Sequence, residues 1–316
     1  MLPSLFAAAL AILGTRQHAV VTSEPFKAAA LTWSGEANVL VRVSDDGVRW
    51  SEWMTPAIDD DITEHQATAI THFAGTNRYL EYAFSGAVDG VTVTFFPPAP
   101  PPRAVHEESY VLGSVPIRSR EDWGCPDGEG APLWTPMYTV VTHAVVHHTA
   151  GANNLTNWEA EVRNIWYFHT FSNGWGDIGY NFLIDPNGVV YEGRAGGEHV
   201  IGAHFSCRNS NTVGVSLLGT FSTVPPTDAA LASLKNLLTE LCRKNGIDPM
   251  AVVHHPSSGL NLPTILGHRD GNVPGATCTI TECPGDVLYS MLPAIRSDLQ
   301  MELSVPLPPR RRAVRP

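Results

Sequence analysis

Two short stretches, far apart in the chain, restrict the fold more than any other feature. Val145-Val146-His147-His148-Thr149-Ala150 reads as a buried strand that ends in a histidine pair. Far downstream, Gly267-His268-Arg269-Asp270 and Thr281-Glu282-Cys283-Pro284-Gly285-Asp286 offer another histidine and a cysteine from a loop that runs into a helix. One imidazole from a strand, with one imidazole and one thiolate from a loop, makes three nitrogen and sulfur ligands. Three such ligands with an open fourth position are the arrangement of a catalytic zinc site, in which the metal lowers the pKa of its bound water. A fold that uses this set must bring the strand and the distant loop together. Successive strand side chains point to opposite faces, so only one of His147 and His148 faces the site. His143 shares the face of His147 and is an alternative ligand. His254-His255 is a second pair, in an apparent loop.

Composition narrows the class. The 316 residues are 43% hydrophobic and 16% charged, as in a folded globular protein, and suit two domains better than one. The net charge of -11 would repel a polyanion, which argues against nucleic acid as a partner. Leu2 to Leu13 is an apolar run too short to span a bilayer. It reads as the core of a secretory signal within residues 1–19, although no Lys or Arg precedes it, with an anchor or a buried N-terminal segment as the alternative. Export, to the medium or the cell envelope, is the expectation. With Cys283 as a ligand, Cys125, Cys207, Cys242 and Cys278 remain for up to two disulfides, with no preferred connectivity.

Residues 20–97 carry β signals and predict a small antiparallel sandwich that serves as an accessory domain. Val39 to Val43 is β-branched, Ser44-Asp45-Asp46-Gly47 is a turn, and Val48 to Trp53 alternates as a returning strand. Trp33, Trp50 and Trp53 are either core or a glycan platform. Residues 98–114 form a proline-rich linker, which proline stiffens toward an extended geometry. The second domain, residues 115–302, mixes strands and helices and predicts an α/β fold with helices covering a mixed sheet. Thr156 to Glu159 fits a capping box, followed by a helix with Trp158, Val162, Ile165, Trp166 and His169 on one stripe. Gly179 to Ile184 and Val189 to Arg194 read as a hairpin around Asp185-Pro186-Asn187-Gly188. Thr212 to Leu218 reads as a buried strand. Thr227 opens a helix that Gly246 stops, and a last helix starts at Gly285. Residues 303–316 are a basic proline and arginine tail, read as a solvated end.

The second domain resembles the peptidoglycan recognition proteins and the related zinc-dependent N-acetylmuramoyl-L-alanine amidases. The matching runs are Val-Val-His147-His148-Thr-Ala, Asp177-Ile-Gly-Tyr180-Asn-Phe, Tyr191-Glu-Gly-Arg194, Gly202-Ala-His204, Gly214-Val215, Gly267-His268-Arg-Asp270 and Cys283-Pro-Gly-Asp286. Each run is weak alone, but together they span residues 115 to 300 in order. The resemblance implies one zinc ion on His147, His268 and Cys283, and it favours Cys283 over the nearer Cys278. It implies a catalytic Tyr180, with Thr281 either at the oxyanion or capping the following helix. Arg194, His204 and His148 match groove positions for a peptidoglycan ligand, with a structural hydrogen-bonding role as the alternative for the first two. Asp177 and Asp270 are either imidazole-orienting carboxylates or turn formers. The implied reaction is hydrolysis of the amide between N-acetylmuramic acid and L-alanine. The rival is a recognition module that binds peptidoglycan without cutting it. A structural zinc domain is disfavoured, because such sites close with four protein ligands and no fourth is evident.

Overall fold

The computed structural model describes residues 17–59, 65–98, 110–127, 133–273, 278 and 280–305. The signal-like run, most of the expected linker and residues 306–316 of the basic tail lie outside the described residues, while the tail's first two residues extend the last helix. None of the described helices is long and apolar enough to cross a membrane.

The N-terminal region is a single five-stranded antiparallel sheet rather than a two-sheet sandwich. Its organiser is β1 (Gln17–Ser34). The early part of β1 pairs with β4 (Thr71–Phe84), and its later part pairs with β5 (Asp89–Phe96) and β3 (Gln66–Ala67). Register shifts between Val21 and Ala28 let one strand serve both neighbourhoods. The outer strand is β2 (Val39–Ser44). The turn after it forms as expected: the Asp46 carboxylate accepts from the N–H groups of Val48 and Arg49. Those bonds hold the carboxyl well below its usual range. The expected return strand over Val48 to Trp53 does not form. Ser51 N–H donates to Val43 O and Met54 bridges to Val41, but no continuous ladder forms, and Asp46 has taken the Val48 and Arg49 donors nearest the turn. Trp33 is core at 1% exposure. Trp50 and Trp53 are half-buried and both pack on the Arg42 guanidinium.

The second domain is built on a seven-stranded mixed sheet in the order β14-β8-β11-β9-β10-β7-β6, as the α/β reading requires. It begins inside the expected linker, because β6 (Tyr110–Leu112) pairs with β7 (Val115–Arg118). Its centre is β8 (His143–His148), flanked in parallel by β11 (Thr212–Leu217) and β14 (Ile265–Gly267). All six residues of β8 are buried, as expected for a parallel strand covered on both faces. Ala144 and Val146 pack into the main core with Leu234, Leu238, Leu288 and Leu292. Those leucines come from α2 (Asp228–Asn245) and α3 (Asp286–Ser304). Val145 faces the other way, toward Phe205, Leu262 and Leu266. β9 (Phe182–Ile184) and β10 (Val190–Glu192) form the hairpin around the Asp185 turn. There the Asp185 carboxylate accepts from Asn187 and Val189 N–H.

Helix α1 (Trp158–Tyr167) starts one residue later than expected. Asn157, not Thr156, is the N-cap and accepts from Ala160 N–H, while Glu159 pairs with Arg118 instead of closing a capping box. A π-helical turn, Phe168–Ser172, follows and carries His169 inward. Thr227 and Gly246 cap α2 as read. His254-His255 lies at the end of β12 (Val252–His255), which pairs with β13 (Leu260–Pro263), and not in a loop.

The N-terminal sheet is packed on the second domain. Ala28, Ala30, Ala67, Ile70 and Phe96 share one apolar cluster with Trp158, Val162, Ile165 and Phe168. His72 Nε2 lies 2.9 Å from the Glu161 carboxylate, and Thr94 and Ser172 share a hydroxyl hydrogen bond of 2.8 Å. Burial opposes the charge on His72, but the Glu161 carboxylate outweighs it and raises the pKa.

Candidate metal centre and its surroundings

The alternation of β8 decides between the paired histidines. His147 lies on the face of Val145, and His148 on that of Val146. The parallel register pairs Gly267 with Val146, so the next residue, His268, falls beside His147. Their ring centroids are 4.8 Å apart. Cys283 arrives from the loop before α3. That loop is stitched to the turn after β14: Arg269 N–H donates to Cys283 O, and Asn272 exchanges two hydrogen bonds with the Thr281 backbone. Thr281 Oγ1 accepts from Cys283 N–H at 2.9 Å. That contact holds the loop and is not the expected helix cap, because the N-cap of α3 is Gly285. His148 N–H points at Cys283 Sγ at 3.4 Å, a donor that favours thiolate.

His147, His268 and Cys283 are all buried, and their donor atoms lie within 4.8 Å of one another. His147 Nδ1 is 3.5 Å from Cys283 Sγ. A tetrahedral ion at bond lengths of about 2.05 Å to nitrogen and about 2.3 Å to sulfur separates neighbouring N and S donors by about 3.6 Å. The donor chemistry therefore fits zinc, and the His147–Cys283 pair has the spacing of two ligands on one ion. The alternative ligand His143 stays outside the set. Its Nδ1 pairs with Thr142 Oγ1 and its ring packs on His255. Burial first, then the neighbouring His255, push its pKa down to about 4. Cys278 is also removed from contention, because it is disulfide-bonded to Cys207. Cys125 and Cys242 are free buried thiols, so one of the two possible bridges forms. Burial, with Asp248 nearby, pushes Cys242 up to about 12.

With Nδ1 turned to the metal position, the other nitrogen of His147 carries the proton and faces His204 Nδ1 at 3.0 Å. His204 Nε2 then donates to Thr212 Oγ1, whose proton goes to Asn209 O at 2.7 Å. One set of tautomers satisfies the whole relay and fixes the ring plane of His147. His204 is 1% exposed and lies behind His147, so the expected groove contact is corrected to an orienting one. Its ring fits only because Gly202 and Gly214 lack Cβ atoms, either of which would collide with it. Arg194 and His148 make structural hydrogen bonds in this fold. Arg194 donates to the carbonyls of Ile178 and Trp175 and stacks 3.6 Å from the Trp134 ring centroid. Burial, against the pull of Asp177, lowers its pKa to about 10. It braces the turn ahead of Tyr180 from inside. The His148 ring accepts from Phe221 N–H on the far face of the sheet. Neither acidic candidate touches an imidazole. Asp177 binds Arg120 and Ala195 N–H, and Asp270 caps the turn at Gly267 N–H and accepts from Tyr289.

Tyr180 is the remaining member. Its ring centroid is 5.2 Å from that of His147 and 5.6 Å from that of His169. Asn181 anchors it: Oδ1 accepts from Gly214 N–H, and Nδ2 donates to the carbonyls of Gly197 and Val200. Sequence reasoning assigned no role to Asn181, nor to His204 as a partner of His147. The only signals were a buried-type Asn beside a catalytic-type Tyr, and glycines at 202 and 214 where a ring needs room.

The family model described as N-acetylmuramoyl-L-alanine amidase matches residues 137–286. Peptidoglycan-recognition protein SC2 of Drosophila simulans is 38% identical over 184 residues, covering 57% of this chain and 85% of that protein. The N-acetylmuramoyl-L-alanine amidase of Homo sapiens is 33% identical over 185 residues, covering 57% of this chain and 28% of that protein. Among solved structures, Drosophila peptidoglycan recognition protein SD aligns with 57% of this chain and 94% of its own, at 27% identity and a TM-score of 0.46.

Proposed function

We propose that this chain, which belongs to the peptidoglycan recognition protein and N-acetylmuramoyl-L-alanine amidase family, hydrolyses the amide between N-acetylmuramic acid and L-alanine in peptidoglycan, with one zinc ion on His147, His268 and Cys283. The observation that carries the reading is the buried His, His, Cys donor set with Tyr180 beside it. When bound, zinc would acidify the attacking water and polarise the scissile carbonyl. The chain does the rest. His204 keeps Nδ1 of His147 aimed at the donor set, and Thr281 and His148 N–H hold the sulfur in place. Tyr180 donates a hydrogen bond from its phenol to the carbonyl oxygen as negative charge develops there. Collapse of the tetrahedral adduct re-forms the C=O bond and breaks the C–N bond, and the leaving nitrogen takes the proton that the attacking water gives up, so one water is consumed and a carboxyl group and a free amine result. The Cys207–Cys278 disulfide supports export to an oxidising compartment.

Metal content and activity of two variants test this reading. Wild type should hold one zinc per chain, and Cys283→Ala should lose both metal and hydrolysis. Tyr180→Phe should keep the zinc and lose about 10²–10³-fold in kcat. A Cys283→Ala protein that still cleaves would overturn the scheme. Zinc retained by a wild type that binds muropeptides but never cleaves them would make the chain a recognition module.

A further inference from the structure

The space beside the Tyr180 ring is closed by the N-terminal sheet. Asp59, Ala69 and Ile70 form one wall, and Thr149, His169 and Tyr180 line the other. What lies between them measures about 10 Å³, room for about one water. Tyr180 is 4% exposed, and His147, His268 and Cys283 are buried. A tyrosine that donates to a scissile carbonyl must touch its substrate. The amide in question carries a sugar on one side and a peptide on the other, and sites for such ligands run to about 300 Å³ or more. The space between the sheet and Tyr180 admits none of it.

The covering wall belongs to the sheet. Leu31 N–H donates to Thr68 Oγ1, Thr68 N–H returns to Leu31 O, and Ala69 N–H donates to Ala57 O. Ala69 and Ile70 therefore move with the N-terminal sheet. The seam that holds this sheet on α1 is made to part. Of its buried apolar residues on the sheet side, Ala28, Ala30 and Ala67 are small, and only Ile70 and Phe96 are large. Its polar contacts are the His72–Glu161 pair and the Thr94–Ser172 hydroxyl bond. Next to them the two domains already separate around a cleft of about 490 Å³, with Lys27 and His72 on one side and Asn154 and Glu161 on the other. Domains joined by a contact of this kind move relative to one another unless the interface is large and apolar.

We propose that the N-terminal sheet is a displaceable, autoinhibitory cover on Tyr180: the closed chain excludes its substrate, and the site opens when the Ala69–Ile70 wall lifts away. This rests on the peptidoglycan-hydrolase reading, which makes Tyr180 a substrate contact, and adds control to it. Substrate binds the open fraction alone, so closure raises the apparent Kd and KM by the inverse of that fraction and leaves the chemical step untouched. Wild type is slow at low substrate, not inert. The N-terminal domain then governs access to the site, instead of acting as a separate wall-targeting module.

The test compares full-length wild type with Ile70→Asp, which puts a carboxylate in the apolar seam, and His72→Glu, which puts one against Glu161. His72 is half-buried, so the second variant remains should the first fail to fold. Circular dichroism shows that each protein is folded, and metal analysis that its zinc content is that of wild type. Small-angle scattering reads opening as a larger radius of gyration. Calorimetric binding of a soluble muropeptide with a pentapeptide stem is measured beside steady-state kinetics. Both variants should expand, and Kd and KM should fall by about tenfold or more with kcat unchanged. Folded variants that stay as compact as wild type would overturn the cover, because a seam that holds a charge without parting is not displaceable. Variants that expand yet bind and cleave as wild type does would also overturn it and leave the hydrolase reading standing. Tighter binding by the variants with no cleavage by any of the proteins would keep the cover and overturn the hydrolase reading. Expanded variants that neither bind nor cleave would overturn both.

Discussion

Removing the His204 ring should weaken metal binding without touching a ligand. His204 Nδ1 lies 3.0 Å from His147 Nε2, and both residues are at most 1% exposed, so water cannot replace the lost bond in place. In His204→Ala, His147 loses the acceptor that fixes its tautomer and ring orientation. Losing such a partner typically costs about 10- to 100-fold in metal affinity, or about 1.4–2.7 kcal/mol. Gly214→Ala provides a second route to the same end, because its new Cβ would collide with the His204 ring while leaving every hydrogen-bonding group present. The assay is the zinc Kd by competition with a chromophoric chelator, on protein shown by circular dichroism to be folded. Both variants should weaken binding, and Thr212→Val, which removes the far end of the relay, should do so by less. A His204→Ala protein that is folded and binds zinc within about threefold of wild type would refute the orienting role.

Other perturbations reach the scaffold. His143 is buried neutral with its pKa at about 4, below the unfolded value of about 6.5. The unfolded state thus gains a proton first as pH falls, so this contribution to stability is complete above pH 6.5 and is lost between there and about pH 4. His143→Gln should shrink the stability difference between pH 7 and pH 5, read from urea midpoints, and an unchanged difference would contradict this. Asp177→Ala strips Arg120, 1% exposed, of one of its two carboxylate partners and orphans Ala195 N–H, at a cost of about 3–5 kcal/mol. A change under about 1 kcal/mol in denaturant unfolding would count against that network. Reducing the Cys207–Cys278 bridge reopens a loop of sequence separation 71 and should lower stability by up to about 4 kcal/mol. Cys278→Ser should give the same shift in Tm, whereas no shift would mean the bridge constrains nothing.

The site was legible because its chemistry is written in residue types that have few other uses. Two histidines and a cysteine in their local runs pointed to one donor set; the period of a strand put His147 and His148 on opposite faces, and the resemblance chose His147. The α/β class followed from apolar runs alternating with helical stripes. What was hidden depends on who meets whom in three dimensions. His204 and Arg194 read as groove residues because a motif match carries no depth, and only the fold shows both side chains buried. Thr156 lost the cap to Asn157 because Arg118, distant in sequence, takes the Glu159 carboxylate that a capping box needs. The strand expected after Asp46 forms no continuous ladder, and the aspartate takes the donors nearest the turn itself. Packing of the N-terminal sheet on α1 was unreadable, because Ala28, Ala30 and Ile70 look like any strand interior until their partners are known.

The most direct measurement is digestion of purified peptidoglycan by the full chain, with products identified by mass spectrometry, in the presence and absence of a chelator and after zinc is restored. Stem peptides that begin with a free L-alanine amine, lost with the chelator and regained with zinc, are the predicted result. Peptidoglycan that sediments with the protein but releases no such peptide under any condition would contradict the hydrolase account.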